Sequence, residues 1–192
     1  MDLKSKIILI SGPTASGKSK AALNIAKKLN GEIINADSMQ VYKEFAILSS
    51  RPENKELKKA KHHLYGIISV KRYFSAGDWL KLTKSKIKKC HEKKKTPIIV
   101  GGTGLYFNTI TKGISKIPTI DIKTRNMARS LFKKLGYKDF YKKLINIDPK
   151  VKNRILPTDS QRNQRAYEVI LKTKKSLFDW TMNTKSDFIN YE

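Results

Sequence analysis

The sequence predicts an α/β fold, a parallel sheet flanked by helices and interrupted by a helical insertion, and three observations predict it. Short apolar runs of strand length occur at Ile7-Ile8-Leu9-Ile10, Ile33-Ile34 and Pro97-Ile98-Ile99-Val100, as strands of a buried sheet require. Amphipathic helical segments separate them. Two of the runs flow directly into glycine-rich loops, Gly12 to Ser19 and Gly101 to Gly104. Ligands of open parallel sheets gather at such strand ends.

The first loop, Gly12-Pro13-Thr14-Ala15-Ser16-Gly17-Lys18-Ser19, fits G-x-x-x-x-G-K-[ST]. Glycines at both ends let successive backbone N–H groups face anionic oxygens, and the following helix presents its positive end to the same charge. Lys18 supplies a mobile cation and Ser19 a hydroxyl suited to Mg²⁺. Ala21, Ala22, Ile25, Ala26 and Leu29 then recur at helical spacing. Strand, loop and helix thus arrive in P-loop order.

Glu32 to Asp37 reads as a second strand that ends in a carboxylate, placed to open onto the same edge as the loop. Leu64 to Val70 is expected to be a third strand. Ser75 and Asp78 form a capping-box-like pair ahead of a helix whose Ala76, Trp79, Leu80, Ile87 and Cys90 share a face. From Thr111 to Pro157 helical segments take over, at Ile122 to Leu135, Lys138 to Ile147 and a shorter one after Pro149. Asp159 can cap a helix from Ser160 to Thr173; the tail from Ser176 has no clear periodicity. The expected domains are a P-loop α/β core, 1–111 with 158–192, and a helical insertion, 112–157.

The 192 residues allow one domain with a real core. A formal charge of +25 and a pI near 10.1 point to a polyanionic partner, nucleic acid first. Lysines outnumber arginines thirty-four to seven, yet Arg125, Arg129, Arg154, Arg162 and Arg165 fall in one stretch, and arginine is the better phosphate reader. A single cysteine, Cys90, excludes an internal disulfide and agrees with a reducing cytosol. No apolar run approaches the length of a membrane span and no signal peptide is evident, so a cytoplasmic protein is expected. His62 and His63 would point to opposite sides of an extended chain and read as structural.

Four motifs in order, Gly12 to Ser19, Asp37-Ser38-Met39-Gln40-Val41-Tyr42, Gly101-Gly102-Thr103-Gly104-Leu105-Tyr106 and Asp159-Ser160-Gln161-Arg162-Asn163-Gln164-Arg165-Ala166, resemble those of the tRNA dimethylallyltransferase family. That family moves a prenyl group from dimethylallyl diphosphate to the exocyclic N6 of the adenine 3′-adjacent to the anticodon. The resemblance implies that Gly12 to Ser19 holds the donor's diphosphate with Mg²⁺. It implies that Asp37 accepts a proton or hydrogen bond from the adenine amine. Thr103 and Arg125 are implied to stabilise the departing diphosphate. Asp37, Ser38, Met39, Gln40, Gln161, Arg162, Asn163, Gln164 and Arg165 are implied to contact tRNA. A monomer is expected.

Three departures qualify the match. Ala46-Ile47-Leu48-Ser49 stands where the family usually continues Asp-Ile-Gly-Thr. Lys174 replaces a glycine suited to a helix C-cap, at a cost of about 1 kcal/mol if a left-handed conformation is required. Family members also continue beyond the position of Glu192, so the C-terminal part of the family fold is expected to be missing. The alternatives are an inactive phosphate- or RNA-binding remnant of the family and a P-loop small-molecule kinase, which would share the nucleotide-binding loop.

Overall fold

A computed structural model describes residues 6–182 and 184–188. Strands β1 (Ile8–Ser11), β2 (Gly31–Asn35), β3 (His62–His63) and β4 (Thr96–Gly101) lie parallel in the order β1-β4-β2-β3. Ser11 pairs with Gly101 and Asn35 with Val100. The carboxyl ends of the three longer strands therefore finish level with one another.

Helices α1 (Lys18–Lys28), α2 (Asn54–Leu57), α3 (Ala76–Glu92) and α4 (Gly104–Thr111) accompany the sheet. Side chains alternate across a strand, and the cores divide accordingly. Ile33, Ile98 and Val100 pack with Ala22 and Ala26 of α1. Ile34 and Ile99 pack with Trp79, Leu80 and Ile87 of α3 and with Tyr106 and Ile110 of α4. Ile33, Ile34, Ile98 and Ile99 are at most 1 % exposed, and each contributes about 1.5–3 kcal/mol of burial.

The expected cap of α3 forms. The Ser75 hydroxyl accepts the Asp78 N–H and the Asp78 carboxylate accepts the Ser75 N–H, at 3.2 and 3.0 Å. Those Ser75 bonds hold the Asp78 carboxyl below the usual range.

The strand expected at Leu64 to Val70 is replaced by the two-residue β3 just before it. Leu64 and Gly66 adopt φ of 65° and 57°, which an extended ladder does not accept. The following residues instead bond the backbone of 40–43: Gly66 N–H donates to Gln40 O and Ile67 N–H to Val41 O. A single parallel bridge joins Tyr42 to Ile68.

Residues 6–113 with 186–188 form one unit and 114–185 a second. The second holds α5 (Ile122–Ile147), a 3-10 turn at Pro149–Val151, α6 (Ser160–Thr173) and α7 (Leu177–Thr181). Gly136, at φ 69° and ψ 176°, interrupts α5, between the two segments the sequence distinguishes. Asp121 caps α5 by accepting the Thr124 N–H at 2.8 Å, and Asp159 caps α6 by accepting the Arg162 N–H at 3.1 Å. The short α7 falls in the tail that showed no period.

The domain boundary differs from expectation. The sequence places 158–192 with the sheet, but α6 buries Ala166 and Tyr167 against Ala128 and Phe140 of α5, so the segment through 185 belongs with the helices. Residues 186–188 do join the sheet unit, where Phe188 packs on the core and the Ser186 hydroxyl donates to the Ile110 carbonyl. Residues 183 and 189–192 of that assignment lie outside the described residues. Among the described residues no helix is long and apolar enough to cross a membrane.

Candidate active site

Three chain segments leave the level strand ends described above. The loop 12–17 follows β1, Ala36 to Gln40 follow β2, and Gly102-Thr103 follow β4. Their proximity is measurable at Gly102, where an added Cβ would lie 3.4 Å from the Gly12 carbonyl and 4.0 Å from Asp37 Oδ2. The carboxylate of Asp37 and the start of the phosphate-type loop therefore flank one glycine. Gly101 is tighter: a Cβ there would come within 2.2 Å of the Ala36 backbone. Only glycine lets β4 and the chain after β2 approach so closely.

Gly17 sits at φ 79° and ψ 5° as the N-cap of α1, and Ala15 is also left-handed at φ 63°. Lys18 Nζ folds back on the loop and donates to the Pro13 carbonyl at 2.7 Å. An incoming anion can exchange for that contact. Ser19 lies exposed in the first turn of α1, and Pro13, Thr14, Ala15, Ser16 and Gly17 are exposed as well.

Among the described residues, the partners that hold Asp37 are its chain neighbours. Its N–H donates to Asn35 Oδ1 at 2.9 Å, and its Oδ1 accepts the Met39 N–H at 2.8 Å. The second oxygen, Oδ2, is the one nearest Gly102. Tyr106, behind the site, is 4 % exposed. Burial first, then Tyr42 and the negative charges of Asp37 and Asp78, push its phenol up to about 12, so it stays neutral.

Thr103 joins two of the loops. Its Oγ1 accepts the Ser38 N–H at 2.8 Å and donates to Ser38 Oγ at 3.2 Å, while its own N–H donates to the Ala36 carbonyl. The longer contact leaves a hydroxyl that can re-aim at a new acceptor. Gln40 braces the departing segment from within, its amide donating to the Ser49 and Ser50 carbonyls at 2.8 and 3.2 Å. Met39 is half exposed.

The remaining expected residues lie in the helical unit. Arg125 stands in the first turn of α5, its N–H donating to the Asp121 carbonyl at 3.2 Å. On α6, Gln161 and Arg162 are exposed and Gln164 and Arg165 half-buried. Arg162 Nε lies 3.4 Å from Asp159, an exposed pair that holds little energy, and Arg165 Nη1 lies 3.2 Å from the buried Glu168. Asn163 does not join that face. It is 1 % exposed and its amide donates to the Leu156 and Pro157 carbonyls at 2.9 and 3.1 Å, so its role is to hold the turn before α6.

One residue with a clear part in this geometry carries no motif of its own. Asn35 is fully buried at the end of β2, and its side chain sets the backbone on which Asp37 stands. The signal was a polar residue closing an apolar strand immediately before the acidic one.

Comparison with known proteins gives this edge a family. The model of the IPP transferase family matches residues 40–191. A tRNA dimethylallyltransferase of Pelagibacter ubique is 57 % identical over 98 % of this chain and 60 % of its own length. That of Ehrlichia canis is 45 % identical over 94 % and 59 %. Among solved structures, a eukaryotic dimethylallyltransferase acting on tRNA aligns with 97 % of this chain and 47 % of its own, at 28 % identity and a TM-score of 0.81. The tRNA isopentenylpyrophosphate transferase of Bacillus halodurans aligns with 90 % and 57 %, at 35 % identity and a TM-score of 0.58. The chain thus spans 51–60 % of the length of these and similar curated relatives. None of these relatives carries the name of a small-molecule kinase, and with the family model and the identities in agreement, the chain belongs to the IPP transferase family.

Proposed function

We propose that this chain contributes to prenyl transfer onto tRNA: the dimethylallyl group of dimethylallyl diphosphate moves to N6 of the adenine 3′-adjacent to the anticodon. The observation that supports it most is the juxtaposition at Gly102 of Asp37 Oδ2 and the loop beginning at Gly12. A carboxylate and a diphosphate cradle at one sheet edge suit a reaction that needs an amine readied and an anion received.

In this reading the loop 12–19 binds the diphosphate through backbone N–H groups and Lys18, which turns from Pro13 to the anion. Asp37 accepts a hydrogen bond from the adenine amino group, whose lone pair is weakened by delocalisation into the ring. The N6–C1 bond forms as the C1–O bond breaks, diphosphate leaves with the bonding pair, and the surplus N6 proton passes to the Asp37 carboxylate. Thr103 eases departure of the anion, a role that the resemblance gives also to Arg125. Hard oxygen donors, the Ser19 hydroxyl and the diphosphate itself, suit Mg²⁺, which when bound would neutralise part of the leaving charge. Ser38, Met39 and Gln40, with Gln161, Arg162, Gln164 and Arg165, are assigned to the tRNA, whose single-stranded anticodon loop makes extrusion of the target base inexpensive.

Incubation with radiolabelled dimethylallyl diphosphate and a tRNA bearing adenine after the anticodon tests the proposal. Label should enter the tRNA, and Asp37→Ala should abolish entry while tRNA binding persists. Salt-sensitive tRNA binding by a cooperatively folded preparation with no transfer would overturn catalysis by this chain and leave a binding remnant.

A further inference from the structure

A second cluster of chemically active side chains lies on the α3 side of the sheet. Glu32 of β2, His63 of β3 and Cys90 of α3 converge there from three separate elements. Glu32 is three residues before the end of β2, about 10 Å from the carboxyl edge at the usual strand rise. The cluster is therefore distinct from the candidate active site.

One ligand atom from each residue lies within 4.8 Å of the other two. His63 Nε2 is 2.6 Å from Glu32 Oε2 and Cys90 Sγ is 3.7 Å from that same oxygen. Cys90 is 0 % and Glu32 7 % exposed, and the His63 side chain retains 12 %. On the same side-chain measure Glu32 retains 9 %, so a narrow opening runs along the His63–Glu32 pair while Cys90 is sealed. His62 faces elsewhere, with Nδ1 2.8 Å from the Ala60 carbonyl, in line with its pairing to Ile33 while His63 pairs with Ile34.

Sulfur, imidazole nitrogen and carboxylate oxygen are the three donor types of tetrahedral zinc sites. Bonds of about 2.0–2.3 Å to one metal place ligand atoms roughly 3.3–3.8 Å apart. The sulfur–oxygen separation already falls there, and the His63–Glu32 contact needs to open by less than about 1 Å. Burial first, then Glu32, push the Cys90 thiol up to about 11, against the opposing charges of Lys61 and Lys93, so the metal itself must displace the thiol proton. A sulfur ligand beside the imidazole and the carboxylate selects a thiophilic metal over a hard cation. Carboxylate plus thiolate neutralise a divalent ion, as a buried site demands.

We propose that Glu32, His63 and Cys90 form a three-ligand site for a thiophilic divalent cation, best matched by Zn²⁺, with water in the fourth position. On binding, the thiol proton leaves to solvent as the metal–sulfur bond forms, and the Nε2 proton that faces Glu32 moves through solvent to Nδ1, which frees the Nε2 lone pair for the metal. No redox change is involved. The metal ties the two-residue β3 and the C-terminal half of α3 to β2.

The purified chain, titrated with Co²⁺ as a spectroscopic probe and then Zn²⁺, tests this without reference to prenyl transfer. Cys90 is the only cysteine, so a near-ultraviolet thiolate-to-cobalt band can come only from it. We expect that band at one equivalent, its displacement by Zn²⁺, and a rise in the thermal midpoint with Zn²⁺. Cys90→Ser should lose the band, His63→Gln should weaken binding by at least about tenfold, and His62→Gln should leave it unchanged. A wild-type chain with no such band at excess Co²⁺ overturns the site even if Cys90→Ser fails to fold, and so does equal Zn²⁺ affinity in a folded Cys90→Ser.

Discussion

Asn35 grips Asp37 by both ends of its backbone: Oδ1 accepts the Asp37 N–H at 2.9 Å and Nδ2 donates to the Asp37 carbonyl at 3.0 Å. Nδ2 also donates to the Leu64 carbonyl at 3.1 Å, and the Asn35 carbonyl accepts the Trp79 indole N–H at 2.7 Å. Trp79 in turn stacks on Tyr106, centroids 4.2 Å apart. The acidic turn is thereby bolted to the core. Replacing Asn35 by Ala leaves buried backbone groups unpaired and should cost about 1–3 kcal/mol by urea denaturation. If Asn35 positions Asp37, kcat of transfer should fall with little change in KM for tRNA. A fall in kcat no larger than the loss of folded protein, which also leaves KM unchanged, would show a structural role only.

Asp37→Asn preserves shape and removes the base. Transfer should fall by about 10²–10⁴-fold, the usual worth of general-base assistance, with diphosphate binding by calorimetry retained. Lys18→Ala should do the reverse at the loop and weaken diphosphate binding.

Gly101→Ala sets a methyl 2.2 Å from the Ala36 backbone. The two strand ends must separate, since backbone cannot yield as a flexible side chain does. A loss of about 1–3 kcal/mol is expected from overpacking. Gly104, with no atom within 4 Å of its built Cβ, should accept Ala nearly silently in the same thermal melts.

Lys174 occupies the C-cap of α6 at φ 57° and ψ 14°, and its N–H donates to the Ile170 carbonyl at 2.9 Å. The left-handed conformation anticipated for a glycine is retained by a lysine. Lys174→Gly should therefore stabilise the chain by about 1 kcal/mol, read as a higher urea midpoint with unchanged slope.

Asp121 carries a depressed carboxyl pKa, owing first to Lys172 and then to the Thr124 N–H and hydroxyl. A carboxyl that is more acidic folded than unfolded stabilises above its unfolded value of 3.8. That contribution is lost as pH falls through the lower folded value. The thermal-midpoint gap between wild type and Asp121→Asn should be constant near neutrality and shrink below about pH 4. A gap independent of pH would remove the carboxylate's charge from the account.

Much of the frame was legible because its determinants are local. The loop 12–19 announces itself by glycine spacing between an apolar run and a helical pattern. Ser75 with Asp78, and Asp159, mark helix starts through bonds that span three residues. Gly136 breaks α5 by its own backbone freedom. The level arrangement of Asp37 with the loop was also foreseeable, since parallel strands of similar length end on one edge.

What stayed hidden rests on partners distant in sequence. Leu64 and Gly66 leave the sheet for left-handed angles although their apolar neighbours suggest a strand, because the 40–43 backbone offers other hydrogen-bond partners. Helix α6 chose α5, and Asn163 turned inward, through contacts that no period reveals. By itself the sequence determined the loop motifs and where helices begin, since backbone angle preferences and side-chain spacing act within a few residues. Only the folded chain decided that Asn35 would hold Asp37 to the core and that Glu32, His63 and Cys90 would meet, because burial rewards proximity in space regardless of separation along the chain.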